Sequence, residues 1–279
     1  RIDGVLHPVA DLDKDRYRVI MGSLASRAGI STASTEPQSG HIQQEIEING
    51  STSLLNIRVE SIPTLYGLDA VLRLFNFDQS MLNLNRLSLS PTELDNIKEI
   101  VSHPIDLALL VGHTGSGKST TLYSTLMHVN SPTKNIITVE DPVEYRILGV
   151  NQVAVNNKAG LTFANGLRTI LRQDPNVIMV GEVRDKETAE ITINAALTGH
   201  LVFSTLHTND SAGAITRLLD MGVEPFLVVS SVRGIIAQRL VRVICPHCKK
   251  EYVPEPYSNE RLYLGVSESE PITLWKGEG

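Results

Sequence analysis

Cysteine is nearly missing from this chain. Only Cys245 and Cys248 occur, both in the tetrad CPHC, so nothing points to a disulfide framework and a cytosolic address fits best. Basic charge is scarce too: 25 Lys and Arg stand against 31 Asp and Glu, a formal net charge of -6. That leaves no excess for neutralising a phosphodiester backbone, and no nucleic-acid partner is expected. Long apolar runs are absent as well. None approaches the ~18 to 20 residues that span a bilayer, and Ser230, Ser231, Arg233 and Arg239 interrupt the most hydrophobic segment, FLVVSSVRGIIAQRLV. No signal peptide opens the chain, and neither an internal repeat nor a long low-complexity tract runs through it. The first residue is Arg1 rather than Met, which points to a piece of a longer protein.

What is present is a chain of 279 residues, 42% of them hydrophobic, long enough for two domains or one large one with a real core. Residues 1–88 read as a small α/β domain with its linker. They hold helical pattern in DKDRYRVIMGSLASRAG, then a Ser/Thr-rich stretch. Ile42, Ile46 and Ile48 next alternate with polar neighbours and end in NG, the pattern of a half-exposed strand and a hairpin turn. The second domain, 89–279, opens on SPTE. Ser90 as N-cap, Pro91 at the first helical position and Glu93 closing a capping box predict a helix to about Ser102. Short apolar strands (IDLALLV, NIITVE, NVIMV, HLVFSTL) then alternate with amphipathic helices (STTLYSTLMHV, TFANGLRTILRQ, KETAEITINAAL). Such alternation predicts a mostly parallel sheet covered on both faces. Ligands bind such sheets at the carboxyl ends of the strands, where every motif below is expected to sit.

One strand-to-helix junction is GHTGSGKS, residues 112–119, a complete match to the phosphate-loop pattern in the context that the pattern requires. Its glycines let successive backbone N–H groups turn inward around phosphate oxygens, and the following helix adds the positive end of its dipole. Gly112, Thr114, Gly115, Ser116, Gly117, Lys118, Ser119 and Thr120 are therefore expected to hold a nucleoside triphosphate. Lys118 would bridge the β- and γ-phosphates and the Ser119 hydroxyl would ligate Mg²⁺. A GTPase switch is set aside, because NNKAG lacks the acid of the guanine-reading NKxD string. Hydrolysis further needs carboxylates to hold the metal and orient a water. Two strand ends supply them: Glu140, Asp141 and Glu144 in ITVEDPVEY, and Glu182 in VIMVGEVRD. Either alone reads as a solvated turn or cap; a phosphate loop in the same sheet favours function.

At this point the sequence resembles a family, the type II secretion and type IV pilus assembly ATPases, hexameric motors of the RecA-like class. Four boxes carry the resemblance in order: GHTGSGKST, ITVEDPVEY, VIMVGEVRDKETA and GHLVFSTLHTND. RIDGVLH, IRVESIPT, VLRLF and AQRLVRVICPHCK extend it over nearly the whole chain. It implies a Mg²⁺-dependent ATPase with a RecA-like phosphate-loop domain, preceded by a smaller PAS-like α/β domain. It further implies that Glu140 polarises the attacking water and that Glu182 helps hold Mg²⁺ or its water shell. His200 and His207 would contact or sense the γ-phosphate, and Arg58 and Arg73 would swing over the nucleotide as arginine fingers. Which glutamate is the general base stays open. The implied assembly is a homo-oligomer, a hexamer, held to inner-membrane platform proteins from the cytoplasmic side and powering pilus or pseudopilus assembly or type II secretion.

The sequence departs from the family at His113, where Pro is usual, at Ser39 to His41, where SGH replaces DGR, and at Leu68, where Glu is usual. Cys245 and Cys248 have the spacing of one arm of a tetrahedral zinc site, but no second pair follows before Gly279. Zinc is thus an expectation set beside two reduced thiols. The pair favours an assembly or secretion motor over a retraction motor. A conjugation-type traffic ATPase and a catalytically weak nucleotide-binding scaffold ring are the alternatives.

Overall fold

The computed structural model describes residues 6–48, 51–76 and 82–278. They form two units, which divide between Leu82 and Asn83. In the first, helix α1 (Lys14–Ala28) starts where the Asp13 carboxylate accepts from the backbone N–H groups of Asp15 and Arg16, and it stops at Gly29 in the left-handed region. Three antiparallel strands follow, β1 (Gln38–Ile48), β2 (Ser51–Thr64) and β3 (Gly67–Asn76), in that spatial order. The predicted alternation holds at Ile42, which is buried with Val59 and Ala28 in a small core under α1. The NG turn, Asn49 and Gly50, lies outside the described residues. Gly40 lets the helix end approach the sheet, because a Cβ there would stand 2.3 Å from the Ala28 carbonyl oxygen. The opposite face carries His41, Arg58 and Arg73 in one cross-strand row.

The second unit opens with α2 (Pro91–Ser102), whose capping box is formed as the sequence predicts. Ser90 Oγ accepts from the Glu93 N–H, and Glu93 Oε2 accepts from the Ser90 N–H at 2.9 Å. The predicted strands are β4 (Asp106–Val111), β5 (Ile136–Glu140), β7 (Val177–Val180) and β8 (Leu201–Leu206). Two more strands widen the sheet, β6 (Asn151–Ala154) and β9 (Val232–Ala237), giving the order β6-β5-β7-β8-β4-β9 with every neighbouring pair parallel.

Helices α3 (Lys118–Val129), α4 (Phe163–Ile170), α5 (Lys186–Leu197), α6 (Ser211–Asp220) and α7 (Pro225–Ser231) connect the strands. Leu107, Leu109 and Val111 of β4 enter one buried cluster with residues of α4, α5, α6 and α7. Their alternates Ala108 and Leu110 are equally buried, and α2 and α3 contact β4, β8 and β9 from outside that cluster. Burial on both faces is why these strands read as continuous apolar runs. FLVVSSVRGIIAQRLV, apolar yet interrupted, resolves into α7 and the edge strand β9. Beyond it, β10 (Lys249–Tyr252) and β11 (Leu274–Gly277) pair antiparallel around α8 (Asn259–Leu264). Among the described residues no helix is long and apolar enough to cross a membrane.

Candidate functional site

The turn between β4 and α3 is built on left-handed glycines: Gly112 has φ 150°, Gly115 φ 79° and Gly117 φ 86°. At Gly112 a Cβ would stand 2.5 Å from Ser116 Oγ and 2.6 Å from the Gln238 carbonyl oxygen. The loop is therefore clasped from below by the chain leaving β9. Gln238 donates its N–H to the Val111 carbonyl at 2.9 Å and accepts from Thr121 Oγ1 at 2.7 Å. Lys118 is buried, and its Nζ donates to the carbonyls of Gly112 at 2.7 Å and His113 at 3.1 Å. Burial holds its ammonium below the ordinary lysine range; Glu182 opposes that effect and Arg239 adds to it.

A cleft of about 380 Å³ opens at the carboxyl ends of the strands. It is lined by Thr114, Gly115, Gly117, Lys118, Ser119 and Thr120 from the loop, and by Glu140, Glu182 and His207 from three strand ends. Gly112 and Ser116 meet on the inner side of the loop, and Ser116 Oγ is buried without a hydrogen-bond partner among the described residues.

The two glutamates differ in environment. Glu140 is buried, and its carboxylate accepts from Tyr123 OH, from Thr138 Oγ1 at 2.5 Å and from Gln152 Nε2 at 3.1 Å. Burial pushes its carboxyl up, and the three hydrogen bonds pull it back. Glu182 binds Arg184 through Oε1 at 2.6 Å, while its Oε2 lies 3.3 Å from His207 Nε2. The buried Oε2 has no hydrogen-bond partner among the described residues. An unpartnered carboxylate oxygen and the Ser119 hydroxyl on one cleft suit a hard divalent cation, which takes oxygen ligands. The residues therefore fit Mg²⁺.

His200 is not brought to this cleft. It precedes β8 whereas His207 follows it, so the two histidines mark opposite ends of a parallel strand, about 23 Å apart at ~3.3 Å per residue. His200 Nδ1 lies 2.9 Å from the Ala195 carbonyl, a local contact at the amino end. His200 therefore stands apart from the cleft that His207 lines, and the expectation that every motif sits at a carboxyl end is corrected at this residue.

Arg58 and Arg73 face each other across β2 and β3 in the first unit, and Arg58 Nε binds Glu60 Oε1 at 2.7 Å. Cys245 and Cys248 are free thiols, and no group of three or more metal-ligating side chains occurs among the described residues. The zinc expectation thus finds no ligand set here. Cys245 is held below the usual thiol range by the N–H groups of His247 and Cys248.

Three residues at the site carry no signal in the motif patterns: Tyr123, Gln238 and Leu240, the last lining the cleft beside Gly117. Gln238 and Leu240 lie in AQRLV, a string that supports the resemblance without announcing a contact 117 residues away from Thr121.

The model of the family described as "Type II/IV secretion system protein" matches residues 1–276. Type II secretion system protein E of Pseudomonas aeruginosa is 47% identical over 100% of this chain and 55% of its own length. The type IV pilus assembly ATPase PilB of Thermus thermophilus is 45% identical over 100% of this chain and 31% of its own length. The chain thus spans between 31% and 55% of the length of these curated relatives. Among solved structures, the pilus retraction motor PilT with bound ADP superposes with a TM-score of 0.59 at 35% identity, covering 72% of this chain and 59% of PilT. The Legionella pneumophila ATPase DotB gives 0.66 at 25% identity, covering 84% of this chain and 66% of DotB.

Proposed function

The chain belongs to the type II/IV secretion system protein family, and on that premise we propose that it is a Mg²⁺-dependent ATPase. It powers pilus or pseudopilus assembly, or type II secretion, from the cytoplasmic side of an inner membrane. One observation carries the reading: a single cleft gathers a phosphate loop, a buried lysine, two glutamates and a histidine from four strand ends. The backbone N–H groups of the loop receive the phosphates and Lys118 neutralises charge between β and γ. Ser119 and Glu182 would hold Mg²⁺, which supplies charge neutralisation on the phosphate oxygens when bound. Glu140 orients and polarises the water. As the water oxygen bonds to Pγ, the bond from Pγ to the β-phosphate oxygen breaks; the electron pair leaves on ADP and the water proton passes to Glu140. His207, 3.3 Å from Glu182, reads the γ-phosphate and relays its loss to that carboxylate.

The working form is a homo-oligomer, a hexameric ring in which Arg58 and Arg73 complete the site as arginine fingers and platform proteins of the inner membrane hold the ring. Identities of 44% to 47% to secretion proteins E and PilB, against 35% to a retraction motor, support assembly or secretion over retraction.

Glu140→Gln tests the chemistry. The variant is expected to bind ATP as tightly as the unaltered protein and to lose about a hundred- to ten-thousandfold in kcat, the usual worth of a general base. Undiminished phosphate release would remove Glu140 from the mechanism and leave Glu182 as the base.

A further inference from the structure

We propose that Tyr123 is a positioning residue for hydrolysis: its phenol fixes the Glu140 carboxylate so that one lone pair, on Oε2, remains to receive the proton of the attacking water. The inference rests on the reading of Glu140 given above and specifies how that group is aimed.

A carboxylate offers about four acceptor positions, two on each oxygen. Oε1 of Glu140 accepts from Thr138 Oγ1 at 2.5 Å and from Gln152 Nε2 at 3.1 Å, which fills it. Oε2 accepts from Tyr123 OH, which leaves one position. The phenol has no freedom to turn away. Its oxygen receives the Glu144 N–H at 3.3 Å, and its ring stands edge-on to Tyr145 with centroids 5.2 Å apart and planes at 81°. With its lone pair taken, the hydroxyl proton points at Glu140. Burial and the neighbouring carboxylate push the Tyr123 phenol far above its ordinary value, so it stays a donor throughout the working pH range.

The placement joins two tasks in one rigid element. Lys118 opens α3 and Tyr123 stands five residues later on the same helix, so the helix that binds the phosphates also sets the water-activating group. Gln152 closes the network, since it donates to the Tyr145 carbonyl at 2.7 Å and accepts the Ile147 N–H at 2.7 Å. The loop between β5 and β6 is thereby tied to the same carboxylate.

The experiment compares Tyr123→Phe, Glu140→Gln and the double variant by steady-state and single-turnover phosphate release, by ADP titration calorimetry and by thermal unfolding. Phenylalanine keeps the ring and removes only the donor. The expected result is a kcat lowered about ten- to a hundredfold, the worth of a hydrogen bond to a charged group, with KM and ADP affinity within about twofold. The double variant should fall no further than Glu140→Gln. Three results would overturn the proposal: kcat unchanged in Tyr123→Phe; kcat, ADP affinity and thermal midpoint falling together, the mark of a packing role; or the double variant falling below Glu140→Gln by the full single-variant factor. Full activity in Glu140→Gln would also overturn it, and would show that the reading of Glu140, rather than the contact with Tyr123, had failed.

Discussion

Lys118→Ala is expected to leave no measurable hydrolysis and to weaken ATP binding about a hundredfold or more. The structure shows why the loss should be so large. The ammonium is buried among loop carbonyls, with Gly112 and His113 accepting from it, and burial already disfavours its charge. Holding a desolvated cation in a polar cradle costs stability, and the cost is offset when phosphate oxygens take the place of those carbonyls. Preorganised charge in such a site is worth several powers of ten in rate, because it needs no reorganisation as charge develops. Phosphate release and calorimetry with ATP check the two losses separately. Retained turnover would mean that the loop backbone alone neutralises the phosphates.

The second large effect belongs to the first unit. Arg58→Ala is expected to lower kcat about a thousandfold or more, the range of an arginine finger, while ATP binding changes little. Arg58 and Arg73 are direct cross-strand neighbours, and like charges placed opposite each other destabilise a sheet. One acid, Glu60, ties Arg58 at 2.7 Å and also accepts from Ser39 Oγ at 2.9 Å. A sheet assembled for stability alone has no need of such a row; a surface that must meet phosphate does. Arg58→Lys should not restore the rate, because an ammonium cannot reproduce the bidentate fork of a guanidinium. If Arg58→Ala lowered the thermal midpoint and left kcat intact, the row would be structural.

The parts of the fold that were legible are those whose sequence pattern is set by burial. β4, β5, β7 and β8 are covered on both faces, so they appear as apolar runs closed by glycines, prolines and caps. β6 did not announce itself: in Asn151–Ala154 no residue is fully buried, and an edge strand of four residues leaves little periodicity to find. β9 was hidden because its apolar residues run on from α7 with only Ser230 and Ser231 between them. At the site, the phosphate loop and the two glutamates were legible because chemistry restricts residue type and spacing there. His200 opens the strand predicted as HLVFSTL, so its place at the amino end followed from that strand, whereas the histidine box groups it with His207 at the opposite end. Tyr123 and Gln238 act through contacts across 17 and 117 residues, which no local pattern encodes.

The central claim, a ring motor whose neighbours complete each other's sites, is tested most directly by steady-state phosphate release with Mg·ATP across a range of protein concentrations. The account predicts that activity per chain rises with concentration to a plateau and that the rise vanishes in Arg58→Ala. Activity per chain that is constant at every concentration, or tight ATP binding without turnover at any of them, would contradict it.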